Sequence, residues 1–159
     1  MTDMIVRRAT PKDTDRINDL LFQVASVHSD GRPDIFKSGS KKYTDEELLA
    51  IISDDSTPIF VAEDENGYVC GYAFCIYEIT EGSNLLCDMK TLYIDDLCVD
   101  ESVRGKHIGT LLYDHVVREA KENGAYRITL NVWSFNTPAM RFYEKRGLSP
   151  LKTVMEQIL

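Results

Sequence analysis

Apolar positions along this chain change period several times, and each change marks an element. Residues 4–8 alternate weakly and predict a first strand. Thr10-Pro11-Lys12-Asp13 supplies an N-cap, a proline at the first helical position and an acid at the third. Ile17, Leu20, Leu21, Val24 and Ala25 then recur at helical spacing. They predict a helix to about Val27, broken by His28-Ser29-Asp30-Gly31-Arg32-Pro33-Asp34. A polar stretch reaches Tyr43, and Thr44 with Glu47 forms a second capping pattern that opens a short helix through Ile52. Residues 59–62 and 68–78 read as strands joined by Asn66-Gly67, a strong hairpin signal. A connection over residues 80–88 leads to a strand over residues 91–99. Ile108, Leu111, Leu112, Val116 and Ala120 predict a helix that ends near Asn123-Gly124. Residues 127–133 form a further strand, Asn136-Thr137-Pro138 starts a last helix that stops at Gly147, and residues 153–159 close with a strand. The order β-α-α-β-β-β-α-β-α-β predicts an α/β fold, a mixed sheet with helices on both faces.

At 159 residues the chain is expected to form one domain, residues 1–159. Its 43% apolar and 28% charged shares suit a globular protein in water. No apolar run approaches the roughly 18 residues that span a bilayer, and the first residues lack the apolar core of a signal peptide. Cytoplasmic residence without membrane attachment is therefore expected. The net charge of −8 argues against nucleic acid as a partner and modestly favours a cationic one. Cys70, Cys75, Cys87 and Cys98 include no C-x-x-C pair and are expected as free thiols, most of them buried in strands. With the three histidines they share no metal-ligand spacing, so no metal is expected.

Three segments carry candidate chemistry. Arg104-Gly105-Lys106-His107-Ile108-Gly109-Thr110 lies between a strand and a helix, so unpaired amides at the positive end of the helix dipole can hold a phosphate. Its glycines permit close approach of a ligand, and Arg104 and Lys106 add positive charge. It matches neither a P-loop, for want of the lysine, nor a G-x-G-x-x-G dinucleotide turn. In the preceding strand Asp95 and Asp96 interrupt an apolar run. Neighbours in a strand face opposite ways, so one of the two is expected to face a cavity, where a carboxylate orients an ammonium group or accepts its proton. Within the last segment, residues 131–147, helical spacing groups Ala139, Phe142 and Tyr143.

Together these segments resemble the GNAT superfamily of acetyl-CoA-dependent N-acetyltransferases. Residues 104–109 follow its Arg/Gln-x-x-Gly-x-Gly/Ala turn, except that His107 stands where glycine is usual. A side chain is tolerable there if the backbone stays in right-handed helical space. Asn136, Ala139, Phe142, Tyr143 and Gly147 match the family's Asn-x-x-Ala-x-x-Phe-Tyr-x-x-x-Gly without a gap. The resemblance covers residues 59–147 well and the first 55 only in element order.

The resemblance implies a mostly antiparallel sheet that splays between the strands at residues 93–99 and 127–133. It implies that acetyl-CoA is the acetyl donor. The coenzyme arm would lie along Leu97, Cys98 and Val99, its diphosphate on the amides of Arg104, Gly105, Lys106, His107, Ile108, Gly109 and Thr110. Asn136, Ala139 and Tyr143 would line the arm. The resemblance further implies direct attack by a neutral primary amine in a ternary complex. Asp95 is the first choice of base with Asp96 in reserve, and Tyr143 is the acid for the leaving thiolate. Cys98 is expected to pack in the sheet and not to act as a nucleophile.

His28 and Trp133, with the two aspartates, are candidates for the acceptor side. Acceptor identity is expected to reside in residues 26–43 and 80–88. A cationic small molecule is the expected acceptor, with a protein N-terminus or lysine, or a non-catalytic acyl-CoA sensor, as alternatives. A homodimer is a further expectation.

Overall fold

The hydrophobic stripes close over a single five-stranded sheet. The computed structural model describes residues 3–159. Strand β1 (Ile5–Arg8) leads through a 3-10 turn at Pro11–Asp13 into α1 (Thr14–Gly31), followed by α2 (Asp45–Ser53). Strands β2 (Ile59–Glu63), β3 (Val69–Thr80) and β4 (Met89–Val99) follow in a meander, then α3 (Ile108–Glu122), β5 (Arg127–Leu130) and α4 (Thr137–Lys145). Spatial order equals sequence order; the first three pairings are antiparallel and β4 with β5 is parallel.

Each face of the sheet has its own core. Ile17, Leu20 and Leu21 of α1 and Leu48 of α2 pack on Ile59, Val61, Tyr72 and Phe74. Ile108, Leu112, Val116 and Ala120 of α3 cover Phe60, Ala62, Ala73 and Ile94 on the other face, where Phe142 and Tyr143 of α4 join them. Leu111, read as part of the α3 stripe, is exposed. Caps fix the helix starts as the sequence suggests. The Thr44 hydroxyl accepts from Glu47 N–H at 3.2 Å while Glu47 accepts from Thr44 N–H at 2.8 Å. Asn66-Gly67 forms the turn of the β2–β3 hairpin, with Gly67 at φ +78°.

Four expectations need correction. Helix α1 does not stop at Val27 but runs through His28-Ser29-Asp30-Gly31. Its end falls just before Pro33, whose ring disfavours helical backbone at Arg32, which takes φ −142° and ψ 75°. Gly31 belongs to that last turn for a packing reason, since a Cβ there would lie 2.3 Å from the ring of Phe135. Strand β5 ends at Leu130, so Trp133 sits in the loop that follows.

The third correction is the tail, residues 148–159, which takes no regular structure. Leu151, Val154, Met155, Ile158 and Leu159 are exposed, because no strand of this sheet pairs with the tail. Its side-chain tie is an ion pair of Glu156 with Arg32. The fourth is residues 81–88, which sit at the far end of the β3–β4 hairpin, beyond the Thr80–Met89 pair. Of the four cysteines, all free, Cys87 in that connection is exposed and the others are buried.

The start of the Arg104–Thr110 turn is pinned by Asp100, 3% exposed at the end of β4. Its carboxylate accepts from the Ser102 N–H and hydroxyl, both at 2.9 Å, from Tyr68 Oη at 3.0 Å and from Arg16. Burial alone would raise its pKa, but these donors outweigh burial and hold it down at about 2.

Two outcomes follow for stability. In an isolated helix Gly31→Ala would gain about 1 kcal/mol. Here it should instead lower stability by about 1–3 kcal/mol in urea titrations, because the methyl group overlaps Phe135. The Asp100 carboxylate has a folded pKa below its unfolded value, so its stabilising effect is full above about pH 4 and is lost as pH falls through about 2. Asp100→Asn should therefore cost about 2 kcal/mol at neutral pH. The gap to the unsubstituted protein should close in acid, as read by urea titrations at stepped pH.

Candidate active site

Strand β4 pairs with β5 only from Thr91–Arg127 to Ile94–Leu130. Beyond that point β5 has ended and β4 continues to Val99. Two connected spaces open in the gap.

The first, about 410 Å³, is a slot between β4, the start of α3 and α4. Leu97 and Val99 form one wall, residues 104, 105 and 107–110 the end, and Ala139, Phe142 and Tyr143 the other wall. Gly105 has φ +87° and His107 φ +59°. His107 is thus left-handed, contrary to the right-handed backbone expected of it, and is the one such non-glycine residue among the described residues. It is the N-cap of α3 and gives that helix no side-chain cap. The amides of Ile108, Gly109 and Thr110 lie in the first turn, where no helical carbonyl reaches them. Uncapped amides at the positive end of a four-turn helix, beside Arg104, fit a diphosphate. Lys106 is exposed and outside the slot wall.

The second space, about 710 Å³, lies on the α1 side. Asp95, Asp96, His28, Phe36, Lys42 and Trp133 face it, together with Asn131 and Asn136. Pairing along β3 jumps from Phe74–Asp96 to Cys75–Ile94, so Asp95 is an extra residue, a β-bulge in β4. The bulge cancels the strand alternation, and both carboxylates face the same side, where the sequence predicted one. Asp95 accepts from Lys42 Nζ at 2.8 Å and from the Tyr43 hydroxyl; Tyr43 stacks on Phe74. Asp96 accepts from Tyr72 Oη at 2.7 Å. Burial pushes the Asp96 carboxyl up to about 6, opposed by the Tyr72 hydrogen bond and the Lys42 charge.

Leu97, Val99, Arg104, Ala139 and Tyr143 belong to both spaces. Tyr143 is therefore at their junction, edge-on to Tyr113 and Phe142. Burial, then the charge of Asp96, raises its pKa, so its hydroxyl keeps the proton at neutral pH. Asn136 Oδ1 accepts from Ala139 N–H at 3.3 Å and so caps α4 while also facing the second space. Cys98 turns towards α1, with Sγ 3.8 Å from the Leu20 carbonyl. Burial pushes its thiol up to about 12, which removes it as a nucleophile at neutral pH.

His28 and Trp133 both reach the second space, in an aromatic cluster. The Phe36 ring lies 5.0 Å from His28 and 5.0 Å from Trp133, and Phe135 stacks on Trp133 at 6.1 Å. Residues 81–88, expected to shape the acceptor site, do not face it. Phe36, Lys42 and Tyr43 fall within residues 26–43, expected to shape the acceptor side, but were not singled out there; Tyr72 of β3 was not expected. They come from the polar connection and from β3, and no local spacing ties them to the aspartates. Among the described residues no three histidine, cysteine or acidic side chains form a metal-binding group, and no helix is long and apolar enough to cross a membrane.

Comparison with known proteins agrees with this geometry. The model of the Acetyltransferase (GNAT) family matches residues 24–148. A Bacillus subtilis protein named provisionally as a phosphinothricin acetyltransferase is 30% identical over 96 residues, 60% of this chain and 55% of that one. The streptothricin acetyltransferase of Streptomyces lavendulae is 31% identical over 96 residues, 60% of this chain and 47% of that one. The chain thus spans about half the length of these relatives. The crystal structure of a single-site mutant of the BH1408 protein of Bacillus halodurans superposes with a TM-score of 0.94 at 32% identity, covering 98% of this chain and 99% of that one. An aminoglycoside N-acetyltransferase in complex with CoA shares the fold, with a TM-score of 0.72 at 16% identity over 100% of this chain and 96% of that one. With a family match over residues 24–148, most of its length, the chain belongs to the GNAT family of acetyltransferases.

Proposed function

We propose that this protein moves an acetyl group from acetyl-CoA to the primary amine of a small molecule, by direct attack within a ternary complex. The observation that carries this reading is the shared wall. Tyr143 stands where the phosphate-ended slot opens into the cleft that holds both aspartates. The small-molecule acceptor is supported by relatives named for phosphinothricin and streptothricin.

Acetyl-CoA, when bound, supplies an activated acetyl thioester. The main chain of Leu97 and Val99, unpaired by β5, offers hydrogen bonds to an extended arm as an added strand would. Arg104, the amides of residues 108–110 and the left-handed turn at Gly105 and His107 hold its diphosphate. An ammonium group has no lone pair, so a proton must leave before nitrogen can bond to the acetyl carbon. Asp95, held by Tyr43, orients the ammonium. Asp96, poised near neutral pH by its burial, takes the proton. As the carbon–sulfur bond breaks, its electron pair goes to sulfur. Tyr143 then donates its proton there, since burial keeps the hydroxyl protonated until that charge develops. Asp96 replaces Asp95 here as the first choice of base.

A homodimer accompanies this reading. Among the described residues β5 is paired on one side only, and the tail exposes Leu151, Val154 and Met155. Light scattering should give twice the chain mass for the full chain and the single mass once residues 151–159 are removed; a monomeric full chain would rule the dimer out.

Tyr143→Phe should lower kcat by about 10- to 100-fold while the acetyl-CoA KM stays within about twofold. Unchanged kcat removes Tyr143 from its role. Because Asp96 must be ionised to accept a proton, kcat/KM should rise with pH through a midpoint of about 6 to a plateau. Asp96→Asn should abolish that limb and Asp95→Asn should retain it while raising the acceptor KM. The opposite pattern would exchange the two roles.

A further inference from the structure

The whole chain is acidic, yet the acceptor cleft is not. Its rim on the α1–α2 connection carries Lys37, Lys41 and Lys42. Lys41 is already engaged by Asp45 and Asn18. Lys42 reaches across the cleft to Asp95 at 2.8 Å, with its side chain 46% exposed against 11% for Asp95. Beside this pair the pKa of the His28 imidazole is lowered, first by burial and then by the Lys42 charge, which favours its neutral form. An acceptor bearing only an ammonium group therefore meets an aspartate whose charge is taken, and a lysine that repels it.

The two halves of the ion pair differ in mobility. Asp95 is fixed in the bulge and held by Tyr43, which stacks on Phe74. Lys42 is a half-exposed point charge on a flexible four-carbon stem, so it is the half that can move. A molecule carrying both charges can replace each half of the pair, its ammonium on Asp95 and its anion on Lys42. Charge is conserved in that exchange, and neither Asp95 nor Lys42 is left unpaired, the costly outcome otherwise. His28, Phe36 and Trp133 then offer an apolar wall to the rest of the molecule.

We propose that the acceptor is a zwitterion of amino-acid type, an anionic group close to its primary amine, and that Lys42 swings from Asp95 to receive that group. This rests on the acetyltransferase reading above. It replaces the cationic acceptor suggested by net charge with one set by local charge, and it makes Lys42 a specificity-determining residue, with Lys37 in support.

The test uses matched acceptors: methionine, methioninamide, 3-(methylthio)propylamine and spermidine, each assayed with acetyl-CoA by release of the coenzyme thiol. Methionine should exceed its amide and its decarboxylated amine by about tenfold or more in kcat/KM. Lys42→Met should shrink that preference to about threefold or less, chiefly through the acceptor KM, and Lys37→Met should lower it partway. The acetyl-CoA KM, unchanged in both variants, reports that each is folded. Equal or better turnover of methioninamide or spermidine would overturn the zwitterion proposal and leave the acetyltransferase reading standing. No thiol release with any of the four acceptors, while acetyl-CoA still binds in calorimetry, would likewise overturn the zwitterion proposal. Failure of acetyl-CoA to bind would instead overturn the reading beneath it.

Discussion

Beyond Ile94 the backbone of β4 keeps a hydrogen-bonded neighbour on the β3 side and loses the one on the other, because β5 has already ended at Leu130. Backbone amides and carbonyls at such an edge need partners, and a buried edge without them is costly. The rest of the site is arranged around this parting. Helix α3 starts beside the open edge, so its uncapped first turn and the edge face one slot. Helix α4, placed by the loop after β5, closes the slot's far side with Ala139, Phe142 and Tyr143.

The bulge at Asp95 adds a second consequence. In a regular strand one carboxylate would have pointed into the α3 core among Ile94, Leu112 and Val116, where an unpaired charge is expensive. The extra residue turns both to the α1 side, where tyrosines from β3 and from the connection before α2 supply donors. The two acids then diverge in character. Asp95 is paired with Lys42 and Tyr43; Asp96 is bonded to Tyr72, and burial pushes its carboxyl up to about 6. Neighbouring acids with unlike environments are a common way to separate orienting from proton transfer.

Secondary structure was legible where one local signal dominated. Thr44 with Glu47, Asn66-Gly67, and Asn136 before Thr137-Pro138 each fixed an element boundary through a contact within a few residues. The phosphate turn and the α4 motif were legible for the same reason, as short runs whose residues act together in space. Legibility failed at Gly31, whose place in a helix depends on Phe135 from a loop about a hundred residues on. It failed too at the tail, where an apolar rhythm found no strand of this sheet to pair with.

By itself, then, the sequence determined the family, the order of elements and the identity of the turn, motif and acid pair, since these rest on contacts or spacings of a few residues. Tertiary structure alone decided which side the acids face, that Lys42 and Tyr43 hold Asp95, and that His28, Phe36 and Trp133 form one wall. The physical reason is distance along the chain. Register between β3 and β4 sets the bulge, and Lys42 meets Asp95 across 53 positions. No local pattern of residues can specify a contact whose partners are brought together only when the sheet and its two layers of helices close.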